Sequence, residues 1–125
     1  MISIDYQSKI PLYEQIVERF QTLILKGVLE PGEQMPSVRT LAVKLSINPN
    51  TIQKAYTLLE QQGYIFPVKG RGNFISDASL LIRQKKEHYL KSLEQSLFLA
   101  KDYGITKTDC HALIHKIYDE EVPHD

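Results

Sequence analysis

Two helix-start signals stand close together in this 125-residue chain, at Pro36-Ser37 and at Asn48-Pro49, and leave room for only one short helix between them. Ser and Asn side chains accept hydrogen bonds from the free N–H groups of a first helical turn. Proline at the first helical position lacks only a donor that the helix would not use. Val38, Leu41, Ala42 and Leu45 follow the first signal at helical spacing, and Ser46-Ile47-Asn48 is all that connects to the second. The second of these helices is predicted from about Pro49 to Gln62, with Gly63 as its stop. Two short helices joined this tightly form a helix-turn-helix pattern.

The flanking segments complete a recognisable order. After an extended lead (Ile2, Ile4, Tyr6), Pro11 opens a stretch in which Leu12, Ile16, Val17, Phe20, Leu23 and Ile24 recur every three or four residues, up to Gly27. Leu29-Glu30-Pro31-Gly32 reads as a turn. Beyond Gly63 the period shortens: Tyr64-Ile65-Phe66 and Asn73-Phe74-Ile75 read as strands, with Lys69-Gly70-Arg71-Gly72 as a hairpin tip. Pro67 confines the first strand to an edge or ends it. Helix, helix-turn-helix and hairpin in this order predict a winged helix, a mainly α fold of the α+β kind, over residues 1–76. Residues 77–125 form a helical tail, predicted from about Ala78 through Tyr103 and again beyond Gly104. Leu90, Leu93, Leu97 and Ala100 make a coiled-coil-like seam on its first helix, and Leu113, Ile114 and Ile117 one side of its second. Thr106 with Asp109 resembles a capping box, and Val122-Pro123-His124-Asp125 is expected to fray.

Bulk properties exclude more than they select. The chain is too short to enclose a large cofactor and a substrate together, and no cofactor is expected. Its single cysteine, Cys110, suits a reducing compartment, no signal-like segment opens the chain, and no apolar run approaches the roughly 20 residues of a membrane span. A cytoplasmic protein is the expectation. Formal net charge is zero, divided as +2 over residues 1–76 and −2 over residues 77–125. Any nucleic-acid reading must therefore rest on where the cations sit.

Their placement is informative. On a helical wheel Ile52, Ala55, Tyr56 and Leu59 share one side of the third helix, while Asn50, Gln53, Lys54 and Thr57 point away. Amides pair with adenine edges, hydroxyls with bases or phosphates, and lysine with phosphate or guanine, so this face suits a major groove. An ordinary solvated helix would also look like this. Arg39, early in the second helix, and Lys69 and Arg71, flanking Gly70, add donors from two further elements. Together the three favour DNA.

Residues 11–76 closely resemble the winged-helix head of the GntR family of bacterial repressors. The likeness lies in Pro11-Leu-Tyr-Glu-Gln-Ile16, Gly27-Val-Leu-Glu-Pro-Gly32, Met35-Pro-Ser-Val-Arg-Thr-Leu-Ala42, Asn48-Pro-Asn-Thr-Ile52, Lys54-Ala-Tyr56, Leu59-Glu60, Gly63-Tyr64 and Gly70-Arg-Gly72. Many members carry Ser-Arg where this chain has Asn48-Pro49, which removes an arginine from the recognition helix. The chain looks instead like the YtrA-like subgroup, whose recognition helix opens Asn-Pro-Asn-Thr and continues Lys-Ala-Tyr. The resemblance implies DNA contacts from Arg39, from Asn50, Thr51, Gln53 and Lys54, and from Lys69, Arg71 and Gly72. Ser37 is a further phosphate candidate, because it caps a helix facing the backbone. It also implies a two-helix tail used for dimerisation, and hence a homodimer on a palindromic double-stranded operator. A small-molecule effector is compatible with this picture, and no residue identifies one.

Other readings of the same residues fit less well. A winged helix serving only as a protein-interaction adaptor explains the fold but not the cations at Arg39, Lys54, Lys69 and Arg71. An enzyme would need a nucleophile, base or metal cluster, and none stands out. His111, His115 and Asp119 are spaced four apart like metal ligands, yet they lie opposite Leu113, Ile114 and Ile117 and read as a solvated face. Cys110, near the apolar side, reads as a small core residue.

Overall fold

Helix α1 (Leu12–Leu25) turns Ile16, Val17, Phe20 and Ile24 inward, as their spacing requires. A computed structural model describes residues 2–119, which divide into two compact units on either side of the Ile82–Arg83 boundary. Val122–Asp125, expected to fray, lie outside the described residues. Helix α2 (Val38–Leu45) starts where its cap predicts: the Ser37 hydroxyl oxygen accepts the Thr40 N–H at 3.0 Å. It stops at Ser46, whose φ of 54° and ψ of 46° are left-handed. That conformation reverses the chain, lets the Ile47 N–H reach the Ala42 carbonyl at 3.0 Å, and buries Ile47.

Helix α3 (Pro49–Gln61) begins at once, with the Asn48 side chain accepting the Asn50 N–H at 2.8 Å and Pro49 in the first turn. It ends one residue before the predicted Gln62, which caps it. Ile52, Ala55, Tyr56 and Leu59 are buried against α1 and α2. Phe20 meets Tyr56 edge to face, with ring centres 5.9 Å apart. Side chains such as Phe20, Ile52 and Leu59 each contribute about 1.5–3 kcal/mol when fully removed from water, and these three are at 0% exposure.

The hairpin is longer than the sequence suggests. Strands β1 (Ile65–Val68) and β2 (Gly72–Ile75) pair antiparallel from Ile65↔Ile75 to Val68↔Gly72, so β1 continues through Pro67. It can do so as an edge strand. On the other side of β2, Gln34 bridges Phe74, the Met35 N–H donates to Asn73 at 2.8 Å, and the Ile75 N–H donates to Glu33 at 2.8 Å. A single bridge at Gln34 and its flanking hydrogen bonds thus attach residues 33–35 to the free edge of β2, an attachment that short-range pattern does not predict.

The N-terminal lead turns at Tyr6 rather than running on extended. The buried Gln15 amide holds it, accepting from the Asp5 N–H and donating to the Asp5 and Ile10 carbonyls, each at 2.9 Å. At the other end of this unit, Ala78 is buried in the head core and Leu81 packs against it. Helix α4 (Ser79–Asp102) starts here and continues into the second unit, one residue shorter at each end than predicted. Helix α5 (Lys107–Tyr118) carries the expected capping box: Thr106 accepts the Asp109 N–H at 3.1 Å, and Asp109 accepts the Thr106 N–H at 2.9 Å. The Thr106 N–H donated to it, chiefly, holds the Asp109 carboxyl below the usual carboxylate range.

Ser46 is the only non-glycine residue with positive φ among the described residues, and its side chain is exposed. In urea titration Ser46→Gly is expected to raise the unfolding free energy by about 0.5–1 kcal/mol, and Ser46→Val to lower it. A glycine variant that loses stability would remove backbone strain as a feature of this turn.

Candidate nucleic-acid interface

Burying Ile52, Ala55, Tyr56 and Leu59 forces the rest of α3 outward. Asn50, Gln53, Lys54 and Thr57 are exposed, as expected, whereas Thr51 is half-buried at the margin. The Gln53 amide donates to the Thr57 hydroxyl at 3.3 Å, so two groups one turn apart share an orientation. Before Glu60 this outer face offers amide, hydroxyl and ammonium groups without a carboxylate. Lys54 leans to one side, its Nζ 3.9 Å from the centre of the Tyr13 ring on α1.

Arg39 is exposed in the first turn of α2. Ser37 beside it is also exposed, but its oxygen is engaged: besides accepting from Thr40 N–H, the hydroxyl donates to the Thr40 hydroxyl at 2.7 Å. At the wing, the pairing of Val68 with Gly72 leaves Lys69-Gly70-Arg71 as the loop, and Lys69, Arg71 and Gly72 are all exposed. Gly70 and Gly72 have φ of 77° and 105°. The stacked Phe66 and Phe74 rings, 6.0 Å apart, stiffen the strands below.

Short-range pattern does not show what fixes these three elements to one another. Residues 34–37 do. The Gln34 side chain donates to the Arg71 carbonyl at 2.7 Å and so anchors the wing loop. Next along the chain, the Pro36 carbonyl accepts the hydroxyl of Tyr56, from α3, at 2.7 Å. Ser37 then caps α2. Wing, recognition helix and supporting helix are thus tied to four consecutive residues. Burial pushes the Tyr56 phenol well above its ordinary pKa, so it stays a donor at any physiological pH. The Ser37 cap is legible in the sequence, whereas the roles of Gln34, of Tyr56 as a donor and of Tyr13 are not. A wheel marks Tyr56 as core, and nothing local to Gln34 signals a partner 37 residues away.

The remaining candidates lie in the second unit. His111, His115 and Asp119 are exposed, as the solvated-face reading expects. His115 Nδ1 lies 2.8 Å from Asp119 Oδ2. Among the described residues no three or more His, Cys, Asp and Glu side chains come together in a way that could hold a metal ion. Cys110 is half-buried beside Leu97, Phe98 and Ile114. No helix of the described residues is long and apolar enough to cross a membrane.

The fold that carries this outward face is the winged helix of DNA-binding transcription regulators. Residues 12–75 match the signature described as "Bacterial regulatory proteins, gntR family", and the chain belongs to the GntR family. The HTH-type transcriptional repressor YtrA of Bacillus subtilis (strain 168) is 40% identical over 119 residues, spanning 94% of this chain and 92% of that relative. A GntR family transcriptional regulator from Listeria monocytogenes superposes with a TM-score of 0.69 at 36% identity, covering 90% of this chain and 98% of that one. The DNA-binding domain of AraR, solved in complex with operator ORX1, gives a TM-score of 0.53 at 27% identity, over 60% of this chain and 93% of that one. The family and these relatives are transcription regulators rather than enzymes.

A Cβ at Gly72 would lie 3.2 Å from the Gln34 side-chain nitrogen, whereas one at Gly70 meets open space. Gly72 also lies further from the left-handed region that other residues tolerate. Thermal unfolding should therefore rank Gly72→Ala as the worse variant, costing about 1–2 kcal/mol against about 1 kcal/mol for Gly70→Ala. Equal losses would mean that Gln34 does not constrain the loop.

Proposed function

We propose that the chain is a dimeric cytoplasmic repressor that occupies a palindromic operator and so blocks transcription. The observation that carries this is the exposed polar face of α3, free of carboxylate up to Glu60, on the same unit as the basic, glycine-bearing wing loop. In this reading Asn50, Thr51, Gln53, Lys54 and Thr57 enter the major groove, and Arg39 and Ser37 meet the phosphate backbone from α2. Lys69, Arg71 and Gly72 approach the adjoining backbone or minor groove. Because the Ser37 oxygen already accepts one N–H and its proton goes to Thr40, Arg39 is the stronger α2 contact. Support for an operator comes from AraR, solved on one, and support for repression from the designation of YtrA.

The tail supports the dimer. Neither α4 nor α5 has a buried residue in the single chain. Leu90, Leu93, Leu97, Leu113, Ile114 and Ile117 are each 44–57% exposed, and Ala100 is half-buried. A groove of about 790 Å³ between the two helices, lined by Leu97, Phe98, Ile105 and Ile114, is open. Apolar surface on this scale marks an interface, and a two-fold pair of tails would set two recognition helices on two half-sites.

Arg39→Ala combined with Arg71→Ala should weaken binding to a footprinted duplex and lower the slope of log K against log salt by about two. Binding equal to the parent at every salt concentration would refute these contacts. For the tail, Leu93→Asp together with Ile114→Asp should yield a monomer in sedimentation velocity while the head keeps its melting transition. A dimer that survives both substitutions would place the interface elsewhere.

A further inference from the structure

Lysine carries a compact charge on a flexible four-carbon stem, and fixing that stem at an interface opposes binding. A cation destined for a phosphate gains affinity if it is ordered beforehand, provided that whatever orders it does not neutralise it. A carboxylate partner would order Lys54 but would compete with DNA. The one ion pair among the described residues is His115–Asp119, so Lys54 is not held in that way. It lies instead over an aromatic face, with Nζ 3.9 Å from the Tyr13 ring centre. Such a face attracts a cation through its quadrupole and leaves the charge in place.

Tyr13 is suited to this. It belongs to α1, which packs directly on α3, and its half-buried ring rests against the head core. Its hydroxyl donates to Glu14 at 3.2 Å, which restrains the outer edge of the ring. We infer that Tyr13 is a positioning residue for DNA recognition: its ring holds the Lys54 ammonium ordered in the free protein, ready for a phosphate or guanine. The inference rests on the DNA-binding function proposed above and assigns a recognition role to a helix that has no DNA contact in that scheme.

The test uses the full chain and a duplex that the wild-type protein selects from random-sequence DNA. Tyr13→Leu removes the ring, Tyr13→Phe keeps it, and Lys54→Met removes the charge; Tyr13→Met replaces the leucine variant if that one fails to fold. The ring-less variant should bind about threefold to tenfold more weakly with an unchanged salt slope, because the contact still forms but is no longer pre-ordered. Tyr13→Phe should bind like wild type. Lys54→Met should lower the salt slope by about one, and in that background removing the ring should have no further effect. In free wild-type protein and in Tyr13→Phe, the Lys54 ε-methylene protons should be shifted upfield by the ring in NMR spectra, and not in the ring-less variant. Wild-type affinity without the ring, equal losses for Phe and Leu, additive losses with Lys54→Met, or an unshifted Lys54 signal would each overturn the positioning role while leaving DNA binding intact. Failure of the wild type to select any duplex would instead overturn the DNA-binding reading, and this inference with it.

Discussion

Tyr56 holds the head together from the inside. Its ring meets Phe20 of α1 edge to face, and its hydroxyl satisfies the Pro36 carbonyl just before α2. One side chain of α3 thereby contacts the long helix behind it and the chain that starts the short helix beside it. Unlike the buried Tyr64 hydroxyl, which has no hydrogen-bond partner among the described residues, that of Tyr56 is paired; leaving it unpaired out of water would cost about 1–3 kcal/mol. With that bond made, α3 cannot rotate without breaking a hydrogen bond and a packed aromatic pair at once. The outward direction of Asn50, Gln53, Lys54 and Thr57 follows from where Tyr56 must point.

The wing depends on the same stretch of chain. A two-stranded hairpin is marginal by itself, and the 33–35 segment remedies this by bonding the free side of β2. Gln34 then reaches the Arg71 carbonyl, and the glycine at 72 leaves room for it. Sequence neighbours Gln34 to Ser37 consequently position loop, recognition helix and supporting helix relative to one another.

The two units solve different physical problems. Nine of the head's large side chains are essentially removed from water, among them Phe20, Tyr56 and Tyr64. The tail relies on local devices, a reciprocal capping box at Thr106 and Asp109 and a terminal Gly104 in positive φ, which define its helices without covering them. Helices of this length gain most of their stability from packing an apolar face. The tail's apolar faces are open in the single chain, and a second copy is the covering proposed here.

Much of this was legible in the residue order. Caps at Ser37, Asn48 and Thr106 act over three residues or fewer, so the helix starts could be read directly and they match the structure. The apolar spacing of α1 and α3 named the core faces, and hence the outward face, because helical periodicity is a local property. The bridge from residues 33–35 to β2, the continuation of β1 through Pro67, the turn of the lead at Tyr6 and the half-burial of Thr51 were not legible. Neither were the bonds from Gln34 to Arg71 and from Tyr56 to Pro36, nor the lean of Lys54 onto Tyr13. The bonds of Gln34 and Tyr56 and the Lys54–Tyr13 contact join residues 20 to 41 positions apart, and which partner lies opposite is decided only when α1, α3 and the hairpin pack against one another. Sequence alone determined which polar and basic groups α2, α3 and the wing loop carry outward; tertiary packing decided in what company they are presented.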